Sequence, residues 1–238
     1  ARMQTSSLVG EILPIANTSL ARLVTLDGQI ITVDTQQLIE QGDPVAYPTP
    51  ISPRNKFSQT QPAIEAFHAT ATRDGRLVAV TGMLAGNVAL VDMQTRQITL
   101  VDIGSSGSFV GGVAFNGGWI NEGLLAIHAS DRIAILSLDS RRAWHTIGEL
   151  SIRRPFNGPN DLVNTGHGPQ FSIAWSTDGS HLIFATQDGP AEFGVAEVLD
   201  SGRRIQYRRS LTACPDGANS PNDIWTANGL ITPTFTPT

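Results

Sequence analysis

The stretch that decides the fold runs from Ala66 to Gly104: AFHATAT, RDG, RLVAVTG, MLAG, NVALVD, MQTR, QITLVDIG. Apolar and polar residues alternate at period two through four short runs, the mark of half-buried β-strands. Arg73-Asp74-Gly75 reads as a turn, because glycine reaches positive φ without steric cost. Residues 84–86 read as a second turn. Asp92 closes the third run, where its side chain can accept hydrogen bonds from the backbone amides that follow. The unit is a four-stranded antiparallel meander of about 40 residues, the size of a propeller blade.

The pattern recurs. From Val110 to Leu150 the chain reads GGVAF, LLAIHAS, DRIAILSLD, a turn SRRA, and WHTIGEL. From Phe171 to Leu211 it reads FSIAWSTDG, HLIFATQ, FGVAEVLD, a turn SGRR, and IQYRRSL. A weaker copy occupies Ser19 to Val45, with LARLVTLDG and then QIITVD. Asp34, Asp92, Asp139 and Asp200 take the same closing place, at intervals of 58, 47 and 61 residues. The two long intervals hold insertions at 47–62 and 152–170, rich in Pro, Ser, Asn and Gly. No segment carries a sustained helical stripe with caps, so helix is expected to be nearly absent.

These features predict an all-β chain, a β-propeller of about four to six four-stranded blades that closes with both termini or is a sector completed by further sequence or by another chain. Closure by a partner chain would leave an exposed sheet edge and self-association. The propeller is expected over residues 1–231. The apolar patch Leu8, Val9, Ile12, Leu13 and Ile15 would supply a closing strand. Residues 219–231 resemble the start of one more unit, and 232–238 (TPTFTPT) read as a linker or tail.

Composition narrows the function. The 238 residues are 40% hydrophobic and 16% charged, with 23 Gly and 14 Pro. That charged share is low against the roughly 25% of ordinary domains. Net charge is −5, and the basic residues are scattered apart from Arg203-Arg204 and Arg208-Arg209. A nucleic-acid footprint needs a clustered basic face, so none is expected. Cys214 is the single cysteine, which rules out an intrachain disulfide. No window approaches the roughly 18 apolar residues of a membrane helix.

The 66–104 copy resembles the YVTN-type propeller repeat, whose strands run through DG-x-x-x-Val-x-Val to Val-x-Val-Asp. Residues 175–187 (WSTDGSHLIFATQ) resemble the TolB-type repeat, with Trp175, Asp178 and Gly179 at its motif positions. No blade ends in the Trp-Asp pair of cytoplasmic WD-repeat domains. The resemblance implies an exported protein, extracytoplasmic in location, and a binding scaffold more than a catalyst.

A second resemblance concerns a doubled motif. Pro159-Asn160-Asp161-Leu162 and Pro221-Asn222-Asp223-Ile224 are similar to a motif of the gluconolactonase and regucalcin family, six-bladed propellers with a divalent cation on the axis. There the motif's Asn lends an oxygen to the metal. The resemblance implies Asn160 and Asn222 as ligands of a Ca²⁺ ion, which takes several oxygens. Pro-Asn-Asp is equally good turn chemistry ahead of a strand. No early blade carries an obvious match for that family's first, glutamate ligand.

Five histidines (68, 128, 145, 167, 181) show no zinc spacing, and no nucleophile elbow, P-loop or haem motif is present. A Ser-His-Asp arrangement is assembled in space and stays open at this level. Trp119, Trp144, Trp175 and Trp225 suit either a ligand groove or packing between blades. The reading is therefore a non-catalytic scaffold without a resident cofactor, binding a protein partner through its inserted loops. Arg54, Lys56 and Phe57 in the first insertion, and Phe156, Asn157 and His167 in the second, are the expected contact residues. The alternative is a metal-dependent lactonase-like hydrolase.

Overall fold

The computed structural model describes residues 9–47, 67–82, 87–103, 110–116, 124–129, 132–139, 143–151, 173–176, 178–186, 192–212, 225–226 and 229–230. Among them, four antiparallel sheets follow one another along the chain. The first holds β1 (Val9–Pro14), β2 (Leu20–Thr25), β3 (Gln29–Asp34) and β4 (Ile39–Glu40) in that order, with β5 (Val45–Ala46) also pairing β3. The second holds β6 (Phe67–Ala71), β7 (Leu77–Gly82), β8 (Asn87–Asp92) and β9 (Gln97–Asp102). The third holds β10 (Val110–Phe115), β11 (Leu124–Ala129), β12 (Arg132–Leu138) and β13 (Trp144–Ser151). The fourth holds β14 (Ile173–Trp175), β15 (His181–Thr186), β16 (Glu192–Leu199) and β17 (Arg204–Thr212). A short pair, β18 (Trp225–Thr226) and β19 (Gly229–Leu230), follows. The helix found among the described residues is a single 3₁₀ turn, Asp200–Gly202. The all-β propeller expected from the repeat is the fold observed.

The first sheet differs from its expected outline. Val9–Pro14 is not a strand held apart for closure. It pairs antiparallel with β2 as the opening strand of the first sheet, so the first repeat starts at Val9 and not at Ser19. Thr25–Gly28 then forms the second hairpin of its sheet, whereas Thr72–Gly75 forms the first hairpin of the next. Tyr47, placed at the head of the first insertion, belongs to the core. It is buried, and its hydroxyl donates to the Thr25 carbonyl at 2.6 Å.

The middle strands are apolar on both faces. Leu124–Ala129 are all buried, as are Val88–Val91. A sheet covered on both sides reads as a continuous apolar run instead of an alternating one. The chain divides into two compact units, residues 1–113 and 114–238. In the first unit, Val24, Ile30, Val45 and Tyr47 of the first sheet pack with Val78, Val80, Ala89 and Val91 of the second. In the second unit, Leu124, Ala126, Ile133 and Ile135 pack with Ile173, Trp175, Leu182, Phe184, Ala196 and Ile205.

One turn chemistry is used three times. Thr25, Thr72 and Ser176 donate their hydroxyls to Asp27, Asp74 and Asp178 at 2.5, 2.6 and 2.6 Å. Each hydroxyl oxygen also accepts the amide that opens the next strand, Gln29, Leu77 or His181, at 2.9–3.0 Å. Gly28, Gly75 and Gly179 complete the turns at φ of 93°, 67° and 70°. Asp34 and Asp92 are likewise equivalent. Each accepts two successive amides, from Gln36 and Gln37 or from Gln94 and Thr95, at 2.8–3.1 Å. Asp139 reaches the Ala143 amide at 2.8 Å. Asp200 departs from the series. It stands at φ 51° at the head of the 3₁₀ turn and faces the Arg204 guanidinium at 3.4 Å.

Neighbouring sheets lock through these turns. The Ile15 side chain lies over Gly75, where a Cβ would come within 2.6 Å of it. Asn116, which follows the opening strand of the third sheet as Ile15 follows that of the first, lies over Gly179. The Ala16 amide donates to the Arg73 carbonyl at 3.0 Å, and the Trp175 indole donates to the Ala114 carbonyl at 2.9 Å. At Gly148 on β13, a Cβ would fall 2.2 Å from the Gly202 carbonyl oxygen.

Two outcomes follow from this geometry. Gly148→Ala sets a methyl against backbone, so thermal unfolding should show a loss of about 1–3 kcal/mol. Asp178 is held down to about 2 by the hydroxyls of Ser176 and Ser180, and hydrogen bonds from Thr72 and Arg76 hold Asp74 below its ordinary value. A depressed carboxylate stabilises the fold above its unfolded pKa and loses that contribution as pH falls through the folded one. Asp74→Ala and Asp178→Ala should each cost about 1 kcal/mol at neutral pH. The double variant should show a shallower loss of stability than the parent between pH 4 and 2.

Candidate functional site

The residues marked for binding or metal ligation all lie outside the described residues. This holds for Asn160 and Asn222 and for Arg54, Lys56, Phe57, Phe156, Asn157 and His167. The same is true of residues 48–62, 152–170 and 232–238. What can be built from the described residues is the chemistry of the strands and turns that carry these segments.

The first polar constellation is formed by the opening strands of the first two sheets. Glu11 on β1 and His68 on β6 approach to 3.9 Å between Oε1 and Nδ1. Their side chains are 34% and 39% exposed. Burial raises the Glu11 pKa and lowers that of His68, because desolvation penalises the charged form of each. At 3.9 Å the two groups are too far apart for a hydrogen bond. It is a half-open carboxyl and imidazole side by side. Sequence reading placed His68 in a strand as a packed or edge residue. It missed Glu11, because only the stacking of the first sheet on the second brings residues 57 positions apart together.

A second constellation joins serine, histidine and aspartate. Ser180 Oγ lies 2.7 Å from Asp178 Oδ1 and 2.7 Å from His181 Nδ1. The connectivity differs from that of a catalytic triad. In a triad the histidine stands between serine and aspartate, taking the serine proton while the carboxylate orients the ring. Here the hydroxyl stands between the other two. Its one proton is directed to Asp178, and the imidazole supplies Nδ1–H to the oxygen. A carboxylate held near 2 is a poor proton acceptor at neutral pH. Asp178 also takes the Ser176 hydroxyl and the Ser180 amide, at 2.6 and 3.0 Å. The arrangement shapes a turn.

Two aromatic positions serve packing. Trp175 is 8% exposed and spends its N–H within the second unit. Trp144 is half-buried against Phe115, with ring centroids 6.2 Å apart. His128 is buried with its ring edge-on to Phe184 at 5.8 Å, as its strand position suggested. The outer strand β17 holds two of the four clustered arginines in ion pairs. Arg208 pairs with Glu197 and Arg204 with Asp200. Among the described residues there is no group of three His, Cys, Asp or Glu side chains placed to hold a metal, and no helix long and apolar enough to cross a membrane.

No protein-family model matches the chain, and no curated protein matches it in sequence. Solved structures do match. A crystal structure of the mitotic checkpoint complex aligns with 87% of this chain and 52% of its own, at TM-score 0.59 and 12% identity. The Cps50 (Swd1) β-propeller domain of Myceliophteria thermophila aligns with 98% of this chain and 59% of its own, at TM-score 0.57 and 14% identity. The periplasmic gluconolactonase of Pseudomonas aeruginosa aligns with 86% of this chain and 54% of its own, at TM-score 0.56 and 14% identity. The chain thus spans about half the length of the structures it matches. At these identities the likeness is one of fold, and the fold is that of a β-propeller.

Proposed function

We propose that the chain is a non-catalytic, exported propeller module that binds protein partners, as a scaffold within a larger surface protein or complex. The observation that carries this reading is the use made of the reactive side chains. The hydroxyl–carboxylate pairs at Thr25, Thr72 and Ser176 and the Ser180–Asp178–His181 cluster are engaged in closing turns. A rigid repeat with its polar chemistry spent on folding leaves function to the segments grafted on its rim. The likeness to a chain of the mitotic checkpoint complex, an assembly, supports the same reading. Export rests on the resemblance to the exported repeat families and is supported by the likeness to a periplasmic propeller. In this reading the partner meets residues 48–62 and 152–170, with Arg54, Lys56, Phe57, Phe156, Asn157 and His167 as contacts.

A second reading has a specific support in the likeness to a gluconolactonase. There the chain would be a lactonase-like hydrolase, with Asn160 and Asn222 lending oxygens to a Ca²⁺ ion. A cation that binds only the folded chain raises its stability by mass action.

The two readings separate cleanly. In the scaffold, removing 48–62 and 152–170 together leaves the melting temperature within a few degrees and abolishes retention of partners by the immobilised chain. Retention unchanged after both deletions would sink the loop assignment. In the hydrolase, 1 mM Ca²⁺ raises the melting temperature and EDTA lowers it, and Asn160→Ala with Asn222→Ala erases the difference. Melting curves that superimpose with chelator and with Ca²⁺ exclude the metal reading and leave the scaffold.

A further inference from the structure

The four sheets each end on an outer strand, and three of those strands are protected against pairing with another chain. β4 is only two residues long, Ile39–Glu40. β13 has a register shift opposite Ile135/Leu136 and presents Glu149 in an ion pair with Arg132. β17 has a register shift opposite Val195/Ala196 and carries Arg204 and Arg208. Short length, bulges and charges are the devices that keep sheet edges apart.

β9 is neither short nor bulged, and its one charge is the terminal Asp102. Gln97–Asp102 runs six residues in unbroken register with β8, from Asp92 opposite Gln97 to Asn87 opposite Asp102. It is the terminal strand of its sheet among the described residues. No charge, proline or glycine lies between 97 and 101. Ile98 and Leu100 share one face and are 39% and 55% exposed. A regular, apolar edge, uncharged up to its last residue, is a template for another strand.

The sequence of this edge says which strand. Alternate residues of an edge point their N–H and C=O outward, so two identical antiparallel edges pair only in a register that matches residues of like parity. The two-fold axis must then pass through a residue. Centred on Thr99, the register sets Thr99 against Thr99 of the other copy, Ile98 against Leu100 and Gln97 against Val101, and brings Arg96, in the turn before the strand at φ 58°, to the end that carries Asp102 of the other copy. It forms one four-residue apolar cluster from the two Ile98–Leu100 pairs and puts opposite charges together at both ends. Centring on Leu100 would instead oppose Ile98 to Asp102, and centring on Ile98 would oppose Arg96 to Leu100. Arg96 is 56% exposed, and its contact with Asp43 is a long 3.6 Å one between exposed groups, so the guanidinium can reorient at little cost.

The geometry points to β9 as a self-pairing edge, through which two copies of this chain join their second sheets into one eight-stranded sheet about a two-fold axis. This interface does not depend on the scaffold reading, since it involves neither insertion.

Sedimentation of the full 238-residue chain tests it, together with site-directed cross-linking. At about 100 μM, a concentration at which modest interfaces are occupied, the chain should run at twice its 25.4 kDa mass. Leu100→Lys should run as a monomer, and at dilutions where the parent is also monomeric the two should melt at the same temperature, because position 100 faces solvent in the single chain. On a Cys214→Ser background, Thr99→Cys should oxidise to a covalent dimer, since directly opposed residues lie about 4.5–5.5 Å apart, within disulfide reach. Gln97→Cys should not, because the two copies of position 97 would be offset by about 13 Å. A chain that stays monomeric, a Leu100→Lys dimer, or equal cross-linking at 97 and 99 would overturn the assignment. The first of these outcomes would leave the edge to a strand of a different protein.

Discussion

The structure depends on burial from both sides. Leu125, Ile127, Ile133, Ile135, Leu136, Leu182 and Ile183 are fully buried, and along each strand they alternate between opposite faces. A lone four-stranded sheet has two faces and could hide neither of them. Each sheet is therefore stable only with another layer against it, and the repeat is stable only as a series. The second and third strands of each sheet take the apolar runs because they lie in the middle of the sandwich. The outer strand β9 exposes Ile98 and Leu100 because it lies at the margin of its sheet.

Once sheets must stack, their spacing has to be fixed, and the turns do this. The Thr/Ser–Asp–Gly turn closes a hairpin with hydrogen bonds that cost nothing in buried polar atoms. It also leaves a glycine with no side chain, and the neighbouring sheet sets Ile15 or Asn116 into that space. A local turn and an intersheet contact are thus one device. The Gly148–Gly202 approach is its counterpart at the outer strands, where two backbones come too close for any Cβ. A frame held this way tolerates long insertions between its strands.

The candidate chemistry shows how folding redirects reactive side chains. Ser180, Asp178 and His181 have the composition of a hydrolytic site and the wiring of a turn, because the hydroxyl occupies the place a base would need. Glu11 and His68 have the opposite character. Each is an ordinary strand residue, and only the adjacency of two opening strands makes them a half-open carboxyl–imidazole pair.

The amino-acid sequence by itself determined the four-strand repeat, the near absence of helix and the turn at Arg73–Gly75, because strand alternation and glycine at positive φ are local requirements. It likewise marked Asp92 as a cap, since a carboxylate two residues from an amide needs no distant partner. It misjudged where the first repeat begins. Val9–Pro14 and Thr25–Gly28 each fit two roles locally, and the choice is made by pairing with β2 and β3. The tertiary structure alone decided that Tyr47 belongs to the core, that Trp175 gives its N–H to Ala114, and that Asp200 leaves the pattern of Asp34 and Asp92. It also decided that Glu11 meets His68 and that β9 is the unprotected edge. These are contacts between residues tens of positions apart or properties of a strand's place in its sheet, and neither is encoded in the periodicity of a single segment.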